Sequence, residues 1–324
     1  MKTASLFAAV SIVFAGFASA KDAFVDLTFV GDVMVAEKPG EIIEAGGDPL
    51  AAVAKYLGPK RLRIANLECV VATTGTAEIK PFTFRAHPRT IPYLARYFDG
   101  VSVANNHSGD FGKDALAEQF GLLDAAKFPY FGGGRDLAAA HEPWIVERNG
   151  LRIALLGYVE FKPRSFEASA TRPGVAWSGE DEQVLRDIRA ARDEHHADIV
   201  IPFLHWGWED EGYSSERQRV FSRRMIDAGA TMVVGSHPHV TQGAESYQGK
   251  PIVYSLGNFL FNGFDTEATL TGWLLEARIG RNGVQTWRTR VVKLNADGVP
   301  TPDKRAASPC GDSKSDEVRA CSGK

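Results

Sequence analysis

Cysteine is scarce: the 324-residue chain has three. Their spacing matches no zinc-finger pattern. Cys310 and Cys321 stand in a polar C-terminal stretch and can close a small disulfide loop in an oxidising compartment. Cys69 is left over and reads as a buried small hydrophobe. Charge of one sign is lacking as well. A net charge of -3 gives no general attraction to nucleic acid or an anionic membrane, so nucleic acid is not an expected partner. An anionic substrate would have to be held by local charge or metal. After the N-terminus no apolar run approaches membrane-spanning length. No internal repeat occurs, and no Gly-X-Ser-X-Gly elbow ends a strand, which leaves a serine triad without support. Gly132-Gly133-Gly134 lacks a following lysine–serine pair and reads as a strand-exit turn, not a phosphate loop.

The apolar material that is present sits in two places. Residues 1–20 have the form of a secretory signal: Lys2 supplies the positive end, Leu6 to Phe17 the apolar core, and Ala18-Ser19-Ala20 a small-residue cleavage site. The mature chain is then expected to begin at Lys21 and to work, soluble, in the periplasm or outside the cell. The remainder, within a chain that is 44% hydrophobic overall, suffices for a full core.

Strand and helix patterns alternate through that remainder. Strands are expected at Asp26–Val30, Leu62–Ala65, Gly100–Val103, Leu151–Gly157, Ile199–Leu204 and Met232–Val234. Further strands, read as antiparallel, follow at Ile252–Ser255, Gly272–Ile279 and Thr286–Leu294. Helices are expected at Pro49–Leu57 (with Asp48 as N-cap), Thr90–Phe98, Lys113–Lys127, Asp181–His195 and Ser215–Ala228. From about Asn295 the composition turns to proline, serine, aspartate and lysine, which predicts a flexible or weakly docked tail, 295–324, beyond a domain at 21–294.

Chemistry-bearing residues cluster at the strand ends. Asp32, Glu68, Asn106 with His107, His205, and the pair His237 and His239 each stand just past a predicted strand, at the sheet edge where open α/β folds bind ligands. In extended chain His237 and His239 point the same way, and Pro238 stiffens the backbone between them. Two carboxylates, an amide and imidazoles form a ligand set suited to a divalent manganese, iron or zinc ion, one or two in number.

The ordered strings Gly31-Asp32, Asn66-Leu67-Glu68, Ala104-Asn105-Asn106-His107 with Asp110 and Gly112, His205-Trp206-Gly207, Gly235-Ser236-His237-Pro238-His239-Val240 and Tyr254-Ser255-Leu256-Gly257-Asn258-Phe259 resemble the CapA family. These are bacterial capsule and poly-γ-glutamate biosynthesis proteins of the calcineurin-like metallophosphoesterase superfamily. The resemblance spans roughly residues 24–265. It implies a four-layer α/β/β/α metallophosphoesterase-like sandwich with a metal centre where its sheets meet. Carried over, Glu68 bridges two metals, Asn106, His205 and His237 complete one site, and Asp32 with His239 serves the other. His107, oriented by Asp110, is the acid that protonates a leaving group. Two departures stand out: Met34 replaces the superfamily's histidine, so one site is expected to be weak or empty, and Glu68 replaces an aspartate.

Arg85, Glu209 and Asn258 are assigned to substrate binding. For Arg85 with His87 a solvated loop is an equal reading, and Glu209 either orients a ligand or faces water. Trp206 and Trp208 flank the site as rim or core, with core the preferred reading, and His141 has no evident partner. Two functions follow: an exported metal-dependent hydrolase or transferase acting on an anionic cell-surface polymer or its precursor, alongside membrane-bound capsule machinery, or a non-catalytic assembly component that binds or exports such a polymer.

Overall fold

The computed structural model describes residues 23–323. The leader expected at 1–20 lies outside them. Two sheets dominate. The ten-stranded sheet runs in the order Arg319–Ser322, Ala307–Asp312, Gly283–Leu294, Thr271–Gly280, Phe24–Val33, Leu62–Leu67, Gly100–Ser102, Tyr130–Phe131, with Asn258–Leu260 and Pro300–Pro302 paired at its flank. The six-stranded sheet runs Thr241–Tyr247, Lys250–Leu256, Val233–Ser236, Ile199–His205, Leu151–Val159, Trp144–Arg148.

Period-two alternation decides which side chains fill which layer. In the Ile199–His205 strand, Ile199, Ile201 and Phe203 face the other sheet, while Val200 and Leu204 face the outer helices. Leu27, Phe29 and Ile64 answer them from the ten-stranded sheet, with Phe29 and Phe203 meeting edge to face at 5.8 Å. On that sheet's outer face pack the helices Glu37–Glu44, Thr90–Tyr97 and Gly112–Ala125, through Ile43, Leu94 and Phe120. Asp181–Asp193 and Glu216–Asp227 cover the other sheet through Ile188 and Phe221. The result is a four-layer α/β/β/α sandwich. Helix Glu216–Asp227 begins with a capping box, in which the Ser215 hydroxyl accepts from Gln218 N and the Gln218 side chain accepts from Ser215 N.

Several expectations are corrected. Glu37–Glu44 is helical, and Trp144–Arg148 and Thr241–Tyr247 are strands, none of them foreseen. The helix expected over Pro49–Leu57 is reduced to Ala54–Leu57, and Asp48 caps nothing: its carboxylate accepts hydrogen bonds from Tyr93, Tyr97 and Arg96. Lys250–Leu256 is antiparallel to Thr241–Tyr247 but parallel to Val233–Ser236.

The largest change concerns the segment read as a flexible tail. Pro300–Pro302 and Ala307–Asp312 both pair with Gly283–Leu294, and Arg319–Ser322 extends the sheet edge. Cys310 and Cys321 are disulfide-bonded, their Cα atoms 5.9 Å apart. Composition misleads here because an edge strand is held by backbone hydrogen bonds to its neighbour and leaves one face to water, so it needs few apolar side chains.

Candidate metal centre

The two sheets bring the C-terminal ends of their parallel strands to one place. Gly31 permits the approach: a Cβ there would lie 1.8 Å from Gly257 O, and beside it Asp32 N donates to the same carbonyl at 3.1 Å. Asp32 is fully buried near the end of the Phe24–Val33 strand. Glu68 follows Leu62–Leu67, its backbone N–H tied to Val33 O at 2.9 Å, and is also fully buried. His205 ends the Ile199–His205 strand.

His237 and His239 reach the same point by another route than the extended chain foreseen. The strand stops at Ser236, and both histidines lie in the left-handed region, at φ 100° and 59°. Non-glycine residues rarely hold that conformation, and when they do it is commonly at functional sites. His237 N donates to Asp32 Oδ2 at 3.3 Å, which ties this turn to the other sheet.

Around His205 Nε2 stand Asn106 Oδ1 at 2.7 Å, His237 Nδ1 at 3.0 Å and Glu68 Oε1 at 3.4 Å. His239 Nδ1 donates to Asn258 Oδ1 at 2.9 Å, which leaves its Nε2 toward Glu68 Oε1 at 3.8 Å. Both Glu68 oxygens and His237 Nε2 are buried without a hydrogen-bond partner. Donor atoms of Glu68, His237 and His239 lie within 4.8 Å of one another, as do those of Asp32, Glu68 and His205. These groups share Glu68, and the expected sets are also adjacent: His205 Nε2 contacts both Asn106 and His237, while His239 Nδ1 lies 3.7 Å from Asp32 Oδ2.

Such a cluster has many lone pairs and few protons. Buried polar atoms without partners cost free energy, and a divalent cation satisfies oxygen and imidazole lone pairs together. The electrostatics agree. Burial, and then the neighbouring Asp32 charge, raises the Glu68 pKa well above the usual carboxylate range. Burial also raises Asp32, partly offset by His239 and Asn66. Burial pushes His205 and His237 well below the usual imidazole value, so both rings stay neutral and able to ligate.

His107 stands at the edge of this cluster. Its Nδ1–H donates to Asp110 Oδ2 at 2.7 Å, and its ring packs 4.5 Å from Phe84. Asp110 also accepts from Phe84 N and from Lys80. Burial lowers the His107 pKa, with Asp110 opposing the shift.

The assigned substrate residues separate. Glu209 lines a 180 Å³ cavity together with His107 and His239. Asn258 is fully buried behind His239, its amide donating to His239 O and Thr269 O, so it positions that ring and offers nothing to a substrate. Arg85 is turned away: its guanidinium donates to Thr74 O and Gly75 O and stacks 4.3 Å over Phe111. Met34 is buried in the apolar core between strand and helices. Trp206 is buried, but Trp208 is 63% exposed and stands edge-on to Phe161, which itself packs 4.0 Å from His237. His141 does have a partner, Asp187, at 2.7 Å.

Three supporting residues were not anticipated. Asn66 donates to Asp32 Oδ1 at 2.8 Å, Asn105 donates to Leu67 O and Asn66 Oδ1, and Lys80 Nζ reaches Asn106 O at 2.9 Å. The asparagines stand in the motif strings, where position alone could have drawn notice. Lys80 comes from an irregular loop and carries no local signal.

Fold and site together define a four-layer α/β/β/α sandwich with a buried carboxylate–imidazole centre between its sheets. The chain belongs to the bacterial capsule synthesis protein PGA_cap family, whose model matches residues 26–263. It is 30% identical over 286 residues to the capsule biosynthesis protein CapA of Bacillus anthracis, covering 85% of this chain and 69% of that one. It is 28% identical over 296 residues to the PGA biosynthesis protein CapA of Bacillus subtilis, covering 88% and 75%. A probable polyglutamine synthesis accessory protein of Mycobacterium tuberculosis is 35% identical over 207 residues, covering 60% and 54%. Among solved structures, the NAD nucleotidase of Haemophilus influenzae aligns over 87% of this chain and 54% of that one, at 13% identity and a TM-score of 0.46.

Proposed function

We propose that this capsule synthesis family member is an exported, metal-dependent hydrolase or transferase that cleaves or exchanges a phosphate, amide or other acyl bond in a cell-surface polymer or its precursor. The observation that carries the reading is Glu68: a fully buried carboxylate without a hydrogen-bond donor, facing Asp32 and three imidazoles. In this reading Asp32, Glu68, Asn106, His205, His237 and His239 hold one or two divalent ions. Such an ion would polarise the scissile bond and acidify water.

The chain's own residues supply the rest. Asp110 fixes the His107 tautomer, leaving Nε2 to take up a proton and hand it to the departing atom. Burial of the ring makes its protonated form a stronger acid than an exposed imidazolium. A site that merely holds a polymer needs no such dyad, which favours the catalytic reading over a polymer carrier. The names of the relatives support a role in capsule or poly-γ-glutamate assembly, and in this proposal the protein works beside membrane-bound synthesis machinery.

Metal analysis of the purified mature chain, joined to turnover of generic phosphodiester and γ-glutamyl substrates, tests this. Stoichiometric metal with metal-dependent turnover of either class is expected. A chain that binds no divalent metal would sink the proposal and leave the polymer-carrier reading.

A further inference from the structure

The cavity beside the centre has a composition that its place in capsule chemistry does not lead one to expect. Its walls are Phe82, Phe84, Phe261 and Phe264, and its charged lining residues are Glu37 and Glu209. The aromatic wall is continuous with the centre. Phe264 lies 4.7 Å and Phe261 5.2 Å from the His239 ring, Phe261 is 5.3 Å from Phe264, and Phe84 is 5.5 Å from Phe261. Among the described residues no lysine or arginine lines this space. Lys80 and Arg85, which flank Phe82 and Phe84 in the chain, are engaged with other partners. Lys80 is bound to Asp110 and to Asn106 O, and Arg85 to Thr74 O, Gly75 O and the Phe111 ring. Glu209 is exposed, and Glu37 accepts one bond from Asn262 with the remainder of its carboxylate facing water.

Aromatic faces carry a negative quadrupole, and carboxylates at the rim carry full charge, so both repel an incoming anion and attract a cation. A stretch of polycarboxylate entering here would meet two glutamates and four phenylalanine faces, with no lysine or arginine in the lining and positive charge only at the His107 and His239 end. An organic ammonium group on an apolar stem meets favourable partners at the rings and the two carboxylates.

We infer that this cavity binds a substrate group of that class, an ammonium borne on an apolar body, and that the anionic part of any polymer substrate lies outside it. The assignment rests on the proposed centre only in one respect: because His107 lines the cavity, the bound amine occupies the leaving side of the bond. The preference for an ammonium group stands on the cavity's own residues.

Isothermal titration of the purified full chain, in the metal state in which it is isolated, with 2-phenylethylammonium and with oligo-γ-glutamate as competitor, tests the inference. Saturable binding of the ammonium probe is expected, weakened about tenfold by Glu209→Gln and by Phe264→Ala, and not displaced by oligo-γ-glutamate. Glu209 is exposed, so Glu209→Gln keeps the test informative even if Phe264→Ala does not fold. Absence of probe binding, an unchanged affinity in Glu209→Gln, or displacement by oligo-γ-glutamate would overturn it. Metal content measured on the same samples is a separate readout: a chain that binds the probe but no metal refutes the hydrolase reading and leaves the cavity's preference intact.

Discussion

Glu68 Oε1 lies 3.4 Å from His205 Nε2, and the two residues come from different sheets. Burial raises the carboxyl and lowers the imidazole, so without a cation the pair tends to a neutral acid beside a neutral ring. The arrangement suits a divalent cation, since among the chain's own positive charges only Lys80 is seen to act on Glu68, and its ammonium is held by Asp110.

Replacing Glu68 or His237 with alanine is expected to remove most bound metal, since each change deletes a direct ligand. Asn258→Ala should act more mildly. It frees the His239 ring without deleting a ligand, and loss of such an orienting hydrogen bond typically costs about 10- to 100-fold in metal affinity. Metal stoichiometry and competition with a chelator measure all three. Full retention in Glu68→Ala would exclude the proposed centre.

His107→Ala should separate catalysis from metal binding. Metal content is expected to stay, while turnover falls by about 10²- to 10⁴-fold, the usual contribution of a general acid. Asp110→Asn should leave metal in place and also reduce turnover, because an amide no longer fixes the tautomer. Loss of metal in His107→Ala would mean that the ring is a ligand instead.

The stabilisation given by metal should grow with pH. Without metal, Glu68 and Asp32 have raised native pKa values. Their stabilising contribution is full below the unfolded carboxyl pKa and is lost as pH rises through the raised values. His205 and His237 have lowered values, so their contribution is present above the unfolded imidazole pKa and is lost as pH falls. Metal displaces protons from the carboxyls and requires neutral rings, so acid opposes it on both counts. Binding at a thousandfold excess over Kd is worth about 4 kcal/mol. Melting temperatures with and without chelator should therefore differ more at pH 7.5 than at pH 5. An equal difference at both would refute this assignment of charge states.

Truncation after Asn295 should destabilise the domain. It strips Gly283–Leu294 of both outer partners and uncovers Trp287, which is 5% exposed and packs against Gly311. Uncovering a large apolar side chain costs about 2–3 kcal/mol, equivalent to several degrees of melting temperature. Cys310→Ser with Cys321→Ser removes only the short loop closure and should cost no more than about 3 kcal/mol. An unchanged melting temperature after truncation would show the C-terminal strands to be dispensable.

Much of the centre was legible in the chain because strand ends announce themselves locally. An apolar run followed by a polar ligand residue is readable at Asp32, Glu68, Asn106 and His205 from a few neighbours each. What the sequence determined was thus the candidate ligand types, their order, and the alternation that sorts Phe203 from Leu204 into different layers. Only the tertiary structure decided how those ligands group around Glu68, and that Asn258 stands behind His239 instead of facing substrate. It also decided that Arg85 turns away while Lys80 turns in. Those outcomes depend on residues far apart in sequence, and nothing in the polarity of a loop residue records which way its side chain points. The C-terminal strands escaped notice for a related reason: their partner is Gly283–Leu294, and a hydrogen-bonded edge leaves no mark in composition.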